Sequence, residues 1–173
     1  MRTCSTFQCE TARVPEPTPY DSTVERQLSA GYALFELCQD EGVALGDAWD
    51  GVGAQLKVAP GRVGVESAAQ NHFPEIALAS YASAPGPWEG DHELVGQVEV
   101  EWTTDLVELW TSESDIGAAR QLRLPPSPTL RYLLRVGRAF SPQVQGALKD
   151  YLWDHDDIDT HGLERWRFDF WPA

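Results

Sequence analysis

The sequence predicts a mainly β protein: an antiparallel β-sandwich of about eight strands, or a partly open barrel, with one short helix near 142–153. Three observations lead to this prediction. Apolar and polar residues alternate along many short segments, turns rich in glycine and proline separate them, and one segment has apolar residues at helical spacing. With 173 residues, 42% of them hydrophobic, the chain can bury one core of its own. We therefore expect a single domain over 24–173, preceded by a flexible N-terminal arm over 1–23, which has three prolines and little periodicity.

The predicted strands begin at 28–38 (LSAGYALFELC), where a helix is the alternative because alanine, leucine and glutamate favour helices. Seven further segments alternate apolar and polar residues: 61–67, 75–81, 93–102, 105–110, 120–124, 131–136 and 165–171. The clearest is ELVGQVEVEW at 93–102, in which the residues predicted to face the core are Leu94, Val98, Val100 and Trp102. Gln97, Glu99 and Glu101 are predicted to face water, since period-two alternation indicates one buried and one exposed face.

The segment SPQVQGALKDYLW at 141–153 has a different pattern. Ser141 is a candidate N-cap before Pro142, and apolar residues then recur at helical spacing. The members of that apolar face are Val144, Ala147, Leu148, Tyr151 and Leu152. A short helix is therefore predicted before the last strand.

The charge of the chain limits its partners. A net charge of −14 and an isoelectric point near 4.5 predict repulsion from nucleic acid and from anionic membranes. No apolar run approaches the length of a membrane span, and the first residues lack the apolar core of a signal peptide, so we expect a cytoplasmic protein. Three cysteines without regular spacing do not form a disulfide framework. Six acids and no base lie in 97–118, and five arginines and no acid in 119–138, which predicts opposite charges paired across neighbouring strands.

The stretch DHDDIDTH at 154–161 is the main candidate metal site, since Cys4 and Cys9 could supply only half of a zinc site and no second cysteine pair completes it. Its carboxylates suit calcium or magnesium, and His155 and His161 suit zinc or iron. The two histidines are six residues apart, which no regular element brings together, and Gly162 and Glu164 are out of register for a calcium-binding loop. A solvated loop is the favoured interpretation, with no metal and no cofactor. Nucleotide-binding, hydrolase and metalloprotease motifs are missing from the sequence, so no catalytic residue is assigned.

Seven tryptophans are present, and two of those on predicted strands, Trp102 and Trp166, alternate with charged residues as core residues do. Trp88 differs, because it lies in the loop PGPWEG, and it is the candidate for an exposed contact residue.

Several of these segments, taken in order, are similar to a known family. The segments LSAGYALFEL, DAWDG, VGVESAAQNHFPEIALASY and ELVGQVEVEWTTDLVEL resemble the bacterial competence nuclease-inhibitor family. LRLPPSPTLRYLLRV and the terminal ERWRFDFWPA continue the similarity, which spans roughly 28–173. The resemblance implies a β protein without enzymatic activity that binds and blocks a partner, with a nuclease as the precedent.

A basic protein, such as a nuclease or a toxin, is therefore the expected partner. One candidate binding patch consists of Glu99, Glu101, Asp105 and Glu108. A second consists of Asp154, Asp156, Asp157 and Asp159, with Trp88 as a further contact residue. The alternatives are an immunity protein or adaptor for another partner, a metal- or small-ligand-binding sandwich that uses 154–161, and acidity that serves solubility alone. The oligomeric state is not predicted.

Overall fold

A computed structural model describes residues 17–27, 34–39, 50–51, 56–69, 72–88, 90–111, 120–144, 148, 152 and 159–173. These residues form eleven strands in two sheets, which confirms the mainly β sandwich. In chain order the strands are β1 (Asp21–Glu25), β2 (Leu34–Cys38), β3 (Asp50–Gly51), β4 (Leu56–Ala59), β5 (Arg62–Glu66), β6 (Phe73–Ser80), β7 (Glu93–Glu101), β8 (Leu106–Thr111), β9 (Arg120–Arg123), β10 (Arg131–Phe140) and β11 (His161–Pro172).

The five-stranded sheet has the order β1-β6-β11-β10-β7. Its neighbours are antiparallel except for β6 and β11, which run parallel, so the expectation of a wholly antiparallel sandwich needs correction at this pair. The alternation of apolar residues reports which face a side chain occupies and carries no information on the direction of the neighbouring strand.

The six-stranded sheet has the order β3-β4-β5-β2-β8-β9 and is antiparallel between all neighbours. The described part of β2 is a strand, so the helix considered for 28–38 is wrong for Leu34–Cys38. Three strands were not predicted: β1, β3 and β4. They have five, two and four residues, too few for a clear alternation.

Two expected boundaries fall on or near residues that the structure does not describe. The arm predicted over 1–23 overlaps the first three residues of β1, so the sheet begins at Asp21, and residues 1–16 lie outside the described ones. Most of the helix predicted over 142–153 also lies outside them. Leu148 and Leu152, which are described, are both helical, and Leu148 is fully buried.

The core lies between the two sheets and is rich in aromatic rings. Trp102 and Trp166 are each 1% exposed, which confirms their predicted core positions. Phe35 of the six-stranded sheet meets Trp166 of the five-stranded sheet edge to face, with ring centroids 5.5 Å apart at 78°. No described helix is long and apolar enough to cross a membrane.

The two edges of the five-stranded sheet differ. At the β1 edge, Glu25 forms an ion pair of 3.0 Å with Arg120 of β9, and Asp21 accepts a hydrogen bond of 2.7 Å from the backbone N–H of Arg123. The β1 edge is therefore covered by β9 of the other sheet. The opposite edge, β7, carries the acidic residues singled out in the sequence.

Candidate interaction surface

Strand β7 presents carboxylates on the outer face of the five-stranded sheet. Val98 and Val100 are buried, and Gln97, Glu99 and Glu101 alternate with them and are exposed, as the sequence predicts. The core position predicted for Leu94 is wrong: this side chain is 62% exposed, because the pairing with β10 shifts register between Val136 and Gly137 and Val95 packs against the core instead. Glu99 forms an ion pair with Arg131 on the neighbouring strand β10, whereas Glu101 forms none with any described residue. The face is thus only partly neutralised.

The C-terminal end of β7 is held at three points. The backbone oxygen of Glu101 accepts a hydrogen bond of 2.9 Å from the N–H of Gly61 in the β4–β5 turn. Gly61 has φ +66°, a conformation that favours glycine. Trp102, the next residue after β7, donates its N–H to Leu130 O at 2.9 Å while its ring lies in the core. The acidic residues therefore project from a fixed corner.

Gln39, just after β2, fastens the turn that follows β7. Its side-chain oxygen accepts hydrogen bonds from the backbone N–H of Thr103 at 2.5 Å and from the Thr103 hydroxyl at 2.9 Å. Its amide nitrogen donates to Thr104 O at 3.0 Å. One side chain of the six-stranded sheet thus fixes the corner where the chain leaves the five-stranded sheet.

A cleft of ≈ 320 Å³ lies beside this end of β7. One wall is apolar and comes from the β4–β5 region; the other carries the two carboxylates and a guanidinium. Its lining consists of Val58, Ala59, Pro60, Glu99, Val100, Glu101 and Arg131. An aliphatic chain that ends in a positive charge fits both walls, since the stem can pack on apolar surface while the charge stays beside the acids.

The other two members of the expected patch lie elsewhere. Asp105 is exposed in the turn after β7 and pairs with Arg123 at 3.2 Å. Glu108 lies on β8 between the buried Val107 and Leu109, on the outer face of the six-stranded sheet, and accepts a hydrogen bond of 2.7 Å from Gln121. Since the outer faces of the two sheets point in opposite directions, Glu108 does not form one patch with Glu99 and Glu101. The contribution of each acid to partner binding stays a prediction.

The second expected patch is described only at its end. Asp154, Asp156 and Asp157 lie outside the described residues. Asp159 is exposed, and hydrogen bonds from the backbone N–H of His161 at 3.0 Å and from its ring hold the pKa of the Asp159 carboxyl below its usual value. The His161 ring stacks on Phe73, with centroids 4.5 Å apart. No group of three metal-ligating side chains occurs among the described residues.

Trp88 is half-buried, where the sequence analysis expected an exposed contact residue. Its ring packs directly on Gly137 of β10, and its N–H donates to the Asp169 carboxylate at 2.5 Å. The Arg135 guanidinium lies over the ring, 4.5 Å from its centroid. The loop folds back onto the outer face of the five-stranded sheet because Gly137 leaves room for an indole there. A role of Trp88 in partner contact stays a prediction.

Asp169, one of the polar residues in the alternating segment 165–171, is fully buried beneath this loop. Its carboxylate accepts hydrogen bonds from Arg135 at 2.8 Å and Arg167 at 3.1 Å as well as from Trp88. A buried carboxylate is stable only when its lone pairs are satisfied in this way. The buried carboxylate thereby joins Trp88 to strands β10 and β11.

A buried Ser-His-Glu group lies at the other end of β11. The Ser67 hydroxyl donates to Glu164 Oε2 at 2.5 Å, and His72 Nε2 is 3.2 Å from the same oxygen and 3.4 Å from the hydroxyl. In a nucleophilic triad the acid and the serine bind different ring nitrogens, and the hydroxyl is open to substrate. Here they share one nitrogen, and Ser67, His72 and Glu164 are 5%, 0% and 0% exposed, so the group is structural.

Glu164 is kept ionised by its neighbours. Burial raises the pKa of this carboxyl, but hydrogen bonds from His72, Ser67 and the backbone N–H of Ala68 lower it more, so the net shift is downward. The sequence pattern indicated that Glu164 is buried, because this residue follows the same period-two alternation as the core residues Trp166 and Phe168. No sequence pattern indicated that His72 is buried.

No family model and no curated protein matches this sequence. Among solved structures, the chain is similar to ComJ from Bacillus subtilis, an inhibitor of the DNA-degrading activity of NucA. The TM-score is 0.54 with 14% identity, over 94% of this chain and all of ComJ. A second structure, described as crocagin biosynthetic gene J, has a TM-score of 0.49 and 15% identity over 88% of this chain and 98% of its own. The chain therefore has a structural resemblance to the nuclease inhibitor, in agreement with the resemblance that its sequence segments predicted.

Proposed function

We propose that this protein binds and inhibits a basic protein of the nuclease kind and performs no catalysis itself. The observation that carries the proposal is the fold shared with ComJ over 94% of the chain. The acidic outer face of β7 supports it, because this face offers carboxylates on a fixed corner beside an apolar wall.

The electrostatics favour such a partner. A nuclease holds the phosphate backbone with lysine and arginine, so its cleft is basic. A protein with a net charge of −14 is attracted to that cleft and competes there with nucleic acid. Attraction of this kind raises the association rate, often by 10-fold or more, and weakens as salt screens the charges.

Affinity capture from the source organism tests the proposal. The immobilised protein is expected to retain a basic protein at low salt and release it at high salt. The purified partner should then degrade nucleic acid, and this chain should inhibit that activity in a salt-dependent manner. If no specific protein is retained at either salt concentration, or if the retained protein is not inhibited, the proposal is wrong.

Paired charge variants locate the surface. Glu99→Gln with Glu101→Gln removes two charges from β7 and is expected to weaken the complex at least 10-fold at low salt, equivalent to about 1.4 kcal/mol. Glu66→Gln with Glu75→Gln removes two charges from β5 and β6, outside both candidate patches, and serves as the matched control. Equal losses in both pairs would indicate that net charge, and not the β7 surface, governs binding.

A further inference from the structure

The cleft beside the end of β7 is preformed and can be reached from solvent. The backbone N–H of Gly61 donates to Glu101 O at 2.9 Å, so the β4–β5 turn is fixed against β7 and the two walls keep their separation. The side chains of Glu99 and Arg131 in the cleft are 40% and 55% exposed. A ligand can therefore enter without opening the fold, which keeps the entropic cost of binding low.

The cleft has a net negative charge. Its charged residues are Glu99, Glu101 and Arg131, so two carboxylates and one guanidinium leave a charge of −1. Arg131 forms an ion pair with Glu99, whereas Glu101 forms none with any residue that the structure describes. One further positive charge beside Glu101 neutralises the cleft, and a second would make it positive.

The opposite wall adds an apolar requirement. Val58, Ala59 and Pro60 form this wall, and Val58 also packs against the core, which fixes its position. A metal ion or a small ammonium ion would leave the wall in contact with water. The volume of ≈ 320 Å³ is at the lower end of the range for small-ligand sites, roughly 300–1,000 Å³, so it fits one long side chain and excludes a whole strand or helix. Lysine and arginine have the required form, an aliphatic stem with one terminal charge.

We propose that the cleft receives one lysine or arginine side chain of the inhibited protein, with its stem on Val58 and Ala59 and its charge beside Glu101. This inference rests on the proposed function and specifies how the partner is anchored. A side chain buried in a preformed pocket commonly contributes a large share of the binding energy of an interface. Arg131 then acts as an internal competitor, because its guanidinium neutralises Glu99 and repels the incoming charge.

Capped amino acids test the site without the partner. Nα-acetyl-lysine methylamide and its arginine counterpart present the two candidate side chains on a main chain. Titration of isotope-labelled protein at constant ionic strength, followed by NMR, should give a dissociation constant on the order of millimolar for at least one of them. The chemical-shift changes should be concentrated at Val58, Ala59, Gly61 and 99–101.

Two further capped amino acids separate the contributions of stem and charge. Diaminobutyric acid has the charge of lysine on a stem two methylenes shorter, and both ammonium groups are charged in slightly acidic buffer. Each buried methylene contributes roughly four-fold in affinity, so this probe should bind at least four-fold more weakly than lysine. Nε-acetyllysine keeps the stem without the charge and should bind more weakly by roughly five-fold or more.

Four variants of the protein provide matched comparisons. Glu101→Gln should weaken binding of the tighter probe by roughly three-fold, as expected for an exposed charge pair, and Arg131→Gln should strengthen it by a similar factor. Damage to the cleft would weaken binding in both variants, so the opposite signs exclude a merely structural effect. Glu75→Gln and Arg26→Gln make the same charge changes in an exposed ion pair at the opposite edge of the sheet, and they should leave the dissociation constant unchanged.

The outcomes separate this inference from the proposed function. If neither capped lysine nor capped arginine binds saturably, or if diaminobutyric acid binds as well as lysine, the anchor is overturned, whereas only the capture experiment tests inhibition itself. Equal effects of Glu101→Gln and Glu75→Gln would show attraction by net charge alone and would also overturn it. Self-association of this chain that capped lysine reverses would place a second copy in the cleft and overturn the inference as well. Binding at the cleft without an inhibited nuclease in the capture experiment would support a site for a basic side chain and overturn the proposed function alone.

Discussion

Replacing Gly137 by alanine tests whether Trp88 is anchored to the sheet as a structural element. A Cβ added at Gly137 would lie 2.5 Å from Cη2 of Trp88 and closer still to Cζ3, so the indole would have to move. The backbone of Gly137 is not in the left-handed region, so alanine itself is compatible with the strand. The displacement would remove the hydrogen bond from Trp88 to the buried carboxylate of Asp169.

The expected loss follows from these contacts. A hydrogen bond to a charged group contributes about 1.5–3 kcal/mol. The stacking of Arg135 on the ring contributes about 0.5–1 kcal/mol more. Alanine also lowers the conformational entropy of the unfolded chain relative to glycine, which offsets about 0.4–1 kcal/mol of this destabilisation. The net destabilisation is therefore about 2 kcal/mol, which for a chain of this length lowers the melting temperature by about 4–8 °C.

Gly86→Ala is the matched control, because nothing lies within 4 Å of a Cβ added there and its φ is also ordinary. Thermal and urea unfolding of both variants, followed by circular dichroism, measures the difference. Gly86→Ala is expected to be as stable as the wild type or slightly more so. If Gly137→Ala melts together with Gly86→Ala, Trp88 is not held against the sheet, and the structural interpretation of this tryptophan is wrong.

Three further substitutions have distinct signatures in urea unfolding and hydrogen exchange. Burial raises the pKa of Glu164, but hydrogen bonds such as that from His72 outweigh it, so folding lowers this pKa below its usual value of 4.5. The ionised carboxylate therefore stabilises the folded protein fully above about pH 4.5, and this stabilisation is lost as the pH falls through the pKa of Glu164 in the folded state. Glu164→Gln should therefore destabilise the protein at pH 7 and lose this effect in acid; a pH-independent difference would contradict the reasoning. Folding raises the pKa of Glu36, because the effect of burial outweighs the opposing effect of Arg62. Ionising this carboxyl therefore costs more in the folded than in the unfolded protein, and the free energy of unfolding falls as the pH rises above about 4.5. Glu36→Gln should stabilise the protein at pH 7 and be neutral below pH 4.5, and destabilisation at pH 7 would refute this. Gln39→Ala should speed amide exchange at the turn after β7 and cost about 1 kcal/mol, since it removes the hydrogen bonds that fix this turn; unchanged exchange there would show that the turn is held by other contacts.

The sequence predicted the orientation of strand residues well where alternation was long. Val98, Val100 and Trp102 are buried as expected, because a buried face restricts residue choice at every second position. The pairing of the arginine-rich and acidic segments is confirmed by the ion pairs Arg131–Glu99 and Arg123–Asp105.

What the sequence could not predict depends on contacts between distant segments. Nothing local to β11 indicated that a loop about 80 residues earlier covers Asp169, since the covering is set by how Trp88 fits over Gly137. The parallel direction of β6 and β11 was also hidden, because alternation is identical in either direction. The placement of Glu108 on the opposite face from Glu99 depends on which sheet each strand joins, which is again a long-range property.

The central position of β11 has a consequence for how the chain folds during synthesis. This strand, the last of the described strands, lies between β6 and β10, so the five-stranded sheet cannot close before His161–Pro172 has left the ribosome. Until then, β6 and β10 each lack a neighbour, and their unpaired edges can associate with other chains. Pairing over so large a sequence separation is also slow to form. Newly made chains should therefore depend on chaperones over this interval, and truncation within β11 should cause aggregation and not merely weaken binding.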